Sequence, residues 1–154
     1  MKTLDKIAQL TDAQLVYGTL KYLGYDIFDC NDHDETSPHC WPGNGKVAEL
    51  ASKKPIVTIG LTGEIHYEAY GSSHPIHCNG VVGAHLNQLV HRDAIRQVSV
   101  DADGQYVVGT VIGMDPEMTC HVHGSDLYKA LCYGFVLYHC NGTLDVPDVL
   151  VNSR

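Results

Sequence analysis

The sequence predicts an α+β fold, a single-domain sandwich in which a mainly antiparallel sheet packs with helices at 11–24, 84–95 and 125–140. Three observations carry that expectation. Apolar residues recur at three-and-four spacing between capping residues near both ends of the chain, the mark of amphipathic or buried helices. Between them lie runs rich in β-branched and aromatic residues, joined by short glycine-containing gaps of hairpin size. Hydrophobic residues make up 44% of the 154-residue chain and charged residues only 18%, a balance suited to a packed core and not to a disordered chain.

Each element has its own local reason. Thr3 caps a short helical turn carrying Leu4, Ile7 and Ala8. Thr11 and Asp12 start a helix in which Ala13, Val16, Tyr17, Leu20 and Leu23 share a face, and Gly24 supplies a left-handed stop. Tyr25 to Asp29 reads as a short strand. Residues 30–45 are dense in turn formers and acids and exceed an ordinary connection. A short helix follows at 46–52, closed by Pro55.

The middle of the chain reads as strands. Ile56 to Leu61 and Glu64 to Tyr70 flank Thr62-Gly63, a hairpin-sized gap. In the second of these, Ile65, Tyr67 and Ala69 point one way and Glu64, His66, Glu68 and Tyr70 the other. Residues 71–83 read as a loop, and Ala84, Leu86, Leu89 and Val90 as the next helix. Gln97 to Asp101 and Gln105 to Ile112 flank Asp103-Gly104, a strong hairpin signal. The helix at 125–140 is capped by Ser125 with Asp126 and ended by Asn141-Gly142. Its apolar residues cover more than one stripe, so it is expected to be buried against a sheet or a second chain, and homo-oligomerisation follows from the latter. Leu144 to Pro147 is short and extended.

Composition also bounds the function. A chain of this length buries about two-thirds of its unfolded surface without a cofactor or disulfide. Ten basic against eighteen acidic side chains, a formal charge of -8, work against a duplex nucleic-acid partner. No apolar run reaches the roughly 18 residues of a membrane span, and the first ten residues lack a secretory apolar core. A cytoplasmic protein with reduced thiols is the expectation.

Ten histidines and six cysteines supply the chemistry of a metal or thiol site, but not the spacings of a known motif. His74, His77, His121 and His123 form the one zinc reading, since neutral imidazoles from two elements could complete four-coordination. Surface histidines and buried cysteines are the favoured alternative, so no cofactor is expected. Cys78, Cys120 and Cys140 each adjoin a histidine, but neighbours on a strand face opposite sides. Trp41, Asn44 and Lys46, at a helix entry, could hold a ring and an anionic group, or simply form a capped turn. The face with Glu64, His66, Glu68 and Tyr70 could bind a polar ligand, with His66 and Glu68 as acid-base candidates; the favoured alternative is the solvated side of a sheet.

Tyr22-Leu23-Gly24-Tyr25 at the end of the first helix, Ser37-Pro38-His39-Cys40-Trp41, and Gly142-Thr143-Leu144-Asp145-Val146-Pro147 carry a resemblance. Together they resemble the small phage-encoded NinX-like and phage alpha-beta-alpha sandwich families. Tyr67-Glu68-Ala69 departs from them where a tryptophan often stands two residues before the alanine. The resemblance covers the two ends of the chain and implies an accessory phage protein in the cytoplasm of an infected cell. Two functions follow. One is a non-enzymatic protein binding a nucleotide-like small molecule or a host protein, which could counteract host defence. The other is a small metal-dependent hydrolase or lyase acting on a nucleotide-like metabolite.

Overall fold

The computed structural model describes residues 1–29, 56–69, 72–90, 95–111, 113, 115, 117 and 119–152. The architecture is α+β, as the sequence predicts, with its strands divided among three sheets. Strands β1 (Lys2–Leu4) and β9 (Leu144–Val146) pair antiparallel as a two-stranded ribbon. Strands β2 (Ile27–Asp29), β3 (Ile56–Ile59), β4 (Ile65–Ala69) and β5 (Ser72–Pro75) form a second sheet, in which only the β2–β3 pair is parallel. Strands β6 (Gln97–Val100), β7 (Tyr106–Val111) and β8 (Thr119–Gly124) form an antiparallel third. The helices are α1 (Asp12–Leu23), α2 (Cys78–Leu89), α3 (Leu127–Cys140) and α4 (Asp148–Asn152).

Helix α1 begins and ends where its local chemistry dictates. Thr11 Oγ1 accepts from the Gln14 amide while the Gln14 side chain accepts from the Thr11 amide, a reciprocal capping box. At the other end Gly24, at φ 90°, lets its own amide and that of Tyr25 turn back onto the carbonyls of Lys21 and Leu20. Thr11→Ala is expected to cost about 1 kcal/mol, measured by urea unfolding, because it leaves the Gln14 amide without its acceptor. An unchanged midpoint would mean that the box contributes nothing.

Helix α3 is the core element. Asp126 caps it, accepting from the amides of Tyr128 and Lys129, and Asn141 ends it at φ 52°. Its residues 130–136 are all buried, packed on β7, α1 and α2. Of the two expected partners the sheet is realised, and the apolar positions that suggested self-association are engaged inside the same chain. At Gly134 the helix lies so close to β7 that an added Cβ would stand 2.9 Å from Val108 Cγ1.

Several elements differ from the sequence reading, which has neither β8 nor α4. Lys2–Leu4 is a strand followed by a 3-10 turn at Ile7–Gln9, because β1 finds a partner in β9 far along the chain. Ser72–Pro75 is an edge strand, where proline is tolerated. The helix expected at 84–95 begins at Cys78 and ends at Leu89 with Val90 as its cap. Gly80 and Gly83 weaken its local signal, but burial of Cys78, Val81, Val82 and Leu89 holds it in place. The expected helix at 46–52 and the connection at 30–45 lie outside the described residues.

Candidate functional site

The cleft that the fold builds lies between the end of α1, the β4–β5 edge and α2. Its volume is about 310 Å³, and its mainly apolar wall carries Leu20, Tyr25, Tyr67, His74, His77 and His85. That is the lower end of the size range of small-molecule sites, about 300–1,000 Å³. No Lys, Arg, Asp or Glu is among its described lining residues.

Backbone geometry explains how the polar groups converge. The glycine stop of α1 aims Tyr25 back toward α2. Tyr67 stands opposite Val57 on one neighbouring strand and His74 on the other, on the inner face of the sheet. Helix α2 departs from helical geometry at His85, at φ -130° and ψ 25°. There His85 Nε2 meets the Tyr25 hydroxyl at 2.5 Å, and its Nδ1 meets Gln88 Oε1 at 2.5 Å.

A carboxamide oxygen can only accept, so Nδ1 donates to Gln88 Oε1, and in the neutral ring Nε2 then accepts from Tyr25 O–H. The tyrosine ring is in turn edge-on to Tyr67, with centroids 6.2 Å apart, and to His85 at 5.4 Å. Burial, and then the neighbouring Tyr67, push the Tyr25 hydroxyl above its usual range, so it stays a neutral donor near neutral pH. The arrangement is a relay of polar groups along one side of an aromatic wall.

A second cavity of about 350 Å³ adjoins the first across Pro75, Ile76 and His77. Asp12, Thr62 and Glu64 also line it. The Thr62 hydroxyl donates to the Glu64 carboxylate, and that bond holds Glu64 below the ordinary carboxylate range.

The residues singled out from sequence divide sharply. His74 and His77 line the cleft, both exposed, with His77 at the N-cap position of α2. His121 and His123 project from β8 in the other sheet, and His123 Nδ1 lies 3.4 Å from Asp101 Oδ2. Among the described residues no three His, Cys, Asp or Glu groups come together in a way that could hold a metal ion, so the two histidine pairs do not form the four-coordinate set. The physical reason is topological: β5 and β8 belong to different sheets.

His66 is half-buried on the outer face of β4, with Nδ1 3.0 Å from Ser73 Oγ. That face is covered at β3 and open at β5, where exposed Ser73 and Pro75 stand opposite Glu68 and His66. Ile56, opposite Glu68, is fully buried, and Thr58, opposite His66, is 7% exposed. The Glu68 side chain and Tyr70, Trp41, Asn44 and Lys46 lie outside the described residues. Sequence reasoning missed Tyr25, Tyr67 and His85 as site residues. The Gly24-Tyr25 pair at a helix end was a usable signal for the first, whereas nothing local marks the other two.

No protein-family model matches the chain, and no curated protein or solved structure matches it. Among the described residues no helix is long and apolar enough to cross a membrane.

Proposed function

We propose that the protein is a non-enzymatic binder whose cleft takes the flat, uncharged ring of a nucleotide-like small molecule. The observation that carries the reading is the convergence of Tyr25, Tyr67 and His85 on a mainly apolar cavity that His74 and His77 border. Aromatic faces and edges receive a heterocycle, and the histidines offer donors and acceptors to its rim. The described wall carries no Lys or Arg and is mainly apolar, which favours recognition through the ring. The resemblance of the chain's two ends to phage families supports an accessory role in the cytoplasm of an infected cell. Holding a host metabolite there would counteract host defence.

Native mass spectrometry with adenosine, uridine and their monophosphates tests the reading. Retention of an unaltered nucleoside mass is the expected result, and a new product would overturn the non-enzymatic assignment. Tyr67→Ala is expected to weaken retention about ten-fold or more, since stacking on an aromatic side chain contributes roughly 1–3 kcal/mol per base. Equal binding by that variant would place the ligand elsewhere.

A further inference from the structure

A third cavity, of about 480 Å³, shares no described lining residue with the cleft. It lies where α1, the β2–β3 pair and the start of α4 meet, and Ile27, Ile59 and Pro147 give it an apolar wall. Its polar side chains are Tyr17, Asp29 and Asp148. No Lys, Arg or His is among its described lining residues. The one positive charge at its edge is the Met1 ammonium, 3.3 Å from Asp148 Oδ1.

Tyr17 is the side chain that the fold leaves unsatisfied. It is only 5% exposed on α1, yet among the described residues nothing hydrogen-bonds to its hydroxyl. Buried tyrosine hydroxyls ordinarily find a partner. Tyr133 does so here, donating to the Leu10 carbonyl at 3.0 Å. Burial, then Asp29, then Asp145 push the Tyr17 hydroxyl above its usual range, so it stays a neutral donor. Asp29 acts on that hydroxyl and also lines the cavity, so the hydroxyl end of Tyr17 is the part that faces it.

These groups define the chemistry of an occupant. An anion would meet two carboxylates. An organic cation suits them, and because a carboxylate has about four lone-pair positions, Asp148 keeps acceptor capacity beside the Met1 ammonium. A cation alone would still leave the Tyr17 hydrogen without an acceptor, so the occupant also carries an oxygen. The volume lies within the range of small-molecule sites, about 300–1,000 Å³.

We propose that this cavity is a second ligand site, taking a small amino alcohol with an apolar body. Its ammonium group pairs with Asp29 and Asp148, its oxygen accepts from the Tyr17 hydroxyl, and its hydrocarbon part lies against Ile27, Ile59 and Pro147. The site is separate from the cleft and does not depend on what the cleft binds.

The test titrates leucinol, which has an ammonium, a hydroxyl and an isobutyl group, into the full chain at low ionic strength and follows isoleucine methyl groups by NMR. Saturable shifts at Ile27 and Ile59 are the expected result. Isoamylamine, which lacks the hydroxyl, should bind about five-fold more weakly, and isohexyl alcohol, which lacks the amine, about ten-fold or more, since hydrogen bonds to charged groups are the stronger. Tyr17→Phe should lower leucinol affinity to that of isoamylamine, leave isoamylamine binding unchanged, and keep or raise the urea midpoint, because the hydroxyl it removes has no partner in the described fold. Absence of saturable shifts at Ile27 and Ile59, equal affinity for leucinol and isohexyl alcohol, or parental leucinol affinity in Tyr17→Phe would overturn the proposal. Saturating adenosine should leave the shifts in place, and displacement by it would assign them to the cleft and overturn the proposal as well. Failure of adenosine to bind at all counts against the cleft reading and leaves the leucinol result standing.

Discussion

Replacing Leu144 by alanine is expected to lower the unfolding free energy by about 3 kcal/mol, within the roughly 2–5 kcal/mol of buried leucine truncations. Leu144 is completely buried in β9. A Cβ built on Gly18 of α1 would stand 3.0 Å from its Cδ2 and 3.2 Å from Val136 Cγ2 of α3. Strand, first helix and third helix therefore meet at one point, and the approach is possible because residue 18 has no side chain. Urea unfolding measures the loss, with Leu61→Ala, at a position 56% exposed, as a reference expected to stay within about 0.5 kcal/mol. Equal midpoints for the two variants would show that this junction is not a packed core.

Gly134→Leu is expected to cost about 3 kcal/mol or more, at the upper end of the range for overpacking a core. A Cβ alone would lie 2.8 Å from Ile95 Cδ1 and 2.9 Å from Val108 Cγ1, with Thr110 Cβ at 3.8 Å. Ile95 Cδ1 is the end of a flexible chain and can swing aside. Val108 is fully buried on β7, the middle strand of its sheet, and has little room to give. The larger side chain also pushes the helix from the Thr110 hydroxyl, which donates to the Gly134 carbonyl at 3.2 Å. Leucine's better helix propensity returns only about 1 kcal/mol. A variant as stable as the parent would require α3 to sit farther from the sheet than it does.

What the sequence made legible was local. Thr11 with Gln14 and Gly24 bracket α1 because caps act on the nearest backbone amides and carbonyls. Asp103-Gly104 turns its hairpin because Gly104 adopts φ 78° and Asp101 Oδ1 accepts from the amides of Asp103 and Gln105. Helix α2 was less readable, since Asn79, Gly80 and Gly83 favour a loop until tertiary burial overrides them. The division into three sheets was not readable at all: β1–β9 and β2–β3 are pairings between segments far apart in sequence.

The site follows the same rule. His74 and His77 stood out as chemistry-bearing residues, favoured as surface histidines with a metal as the lesser alternative, and the fold sets both, exposed, on the rim of an aromatic-walled cleft. Tyr25 and His85 lie 60 residues apart, and no spacing pattern links them.

The ribbon that ties Lys2–Leu4 to Leu144–Val146 sets an order of events during synthesis. At about 5–20 residues per second, the first strand waits on the order of ten seconds for its partner to be made. Closing so long a loop has a high entropic cost until helices already formed bring its ends together. The seam between the ribbon's two strands therefore cannot close before Val146 is made, and the nascent chain carries an unpaired first strand until then.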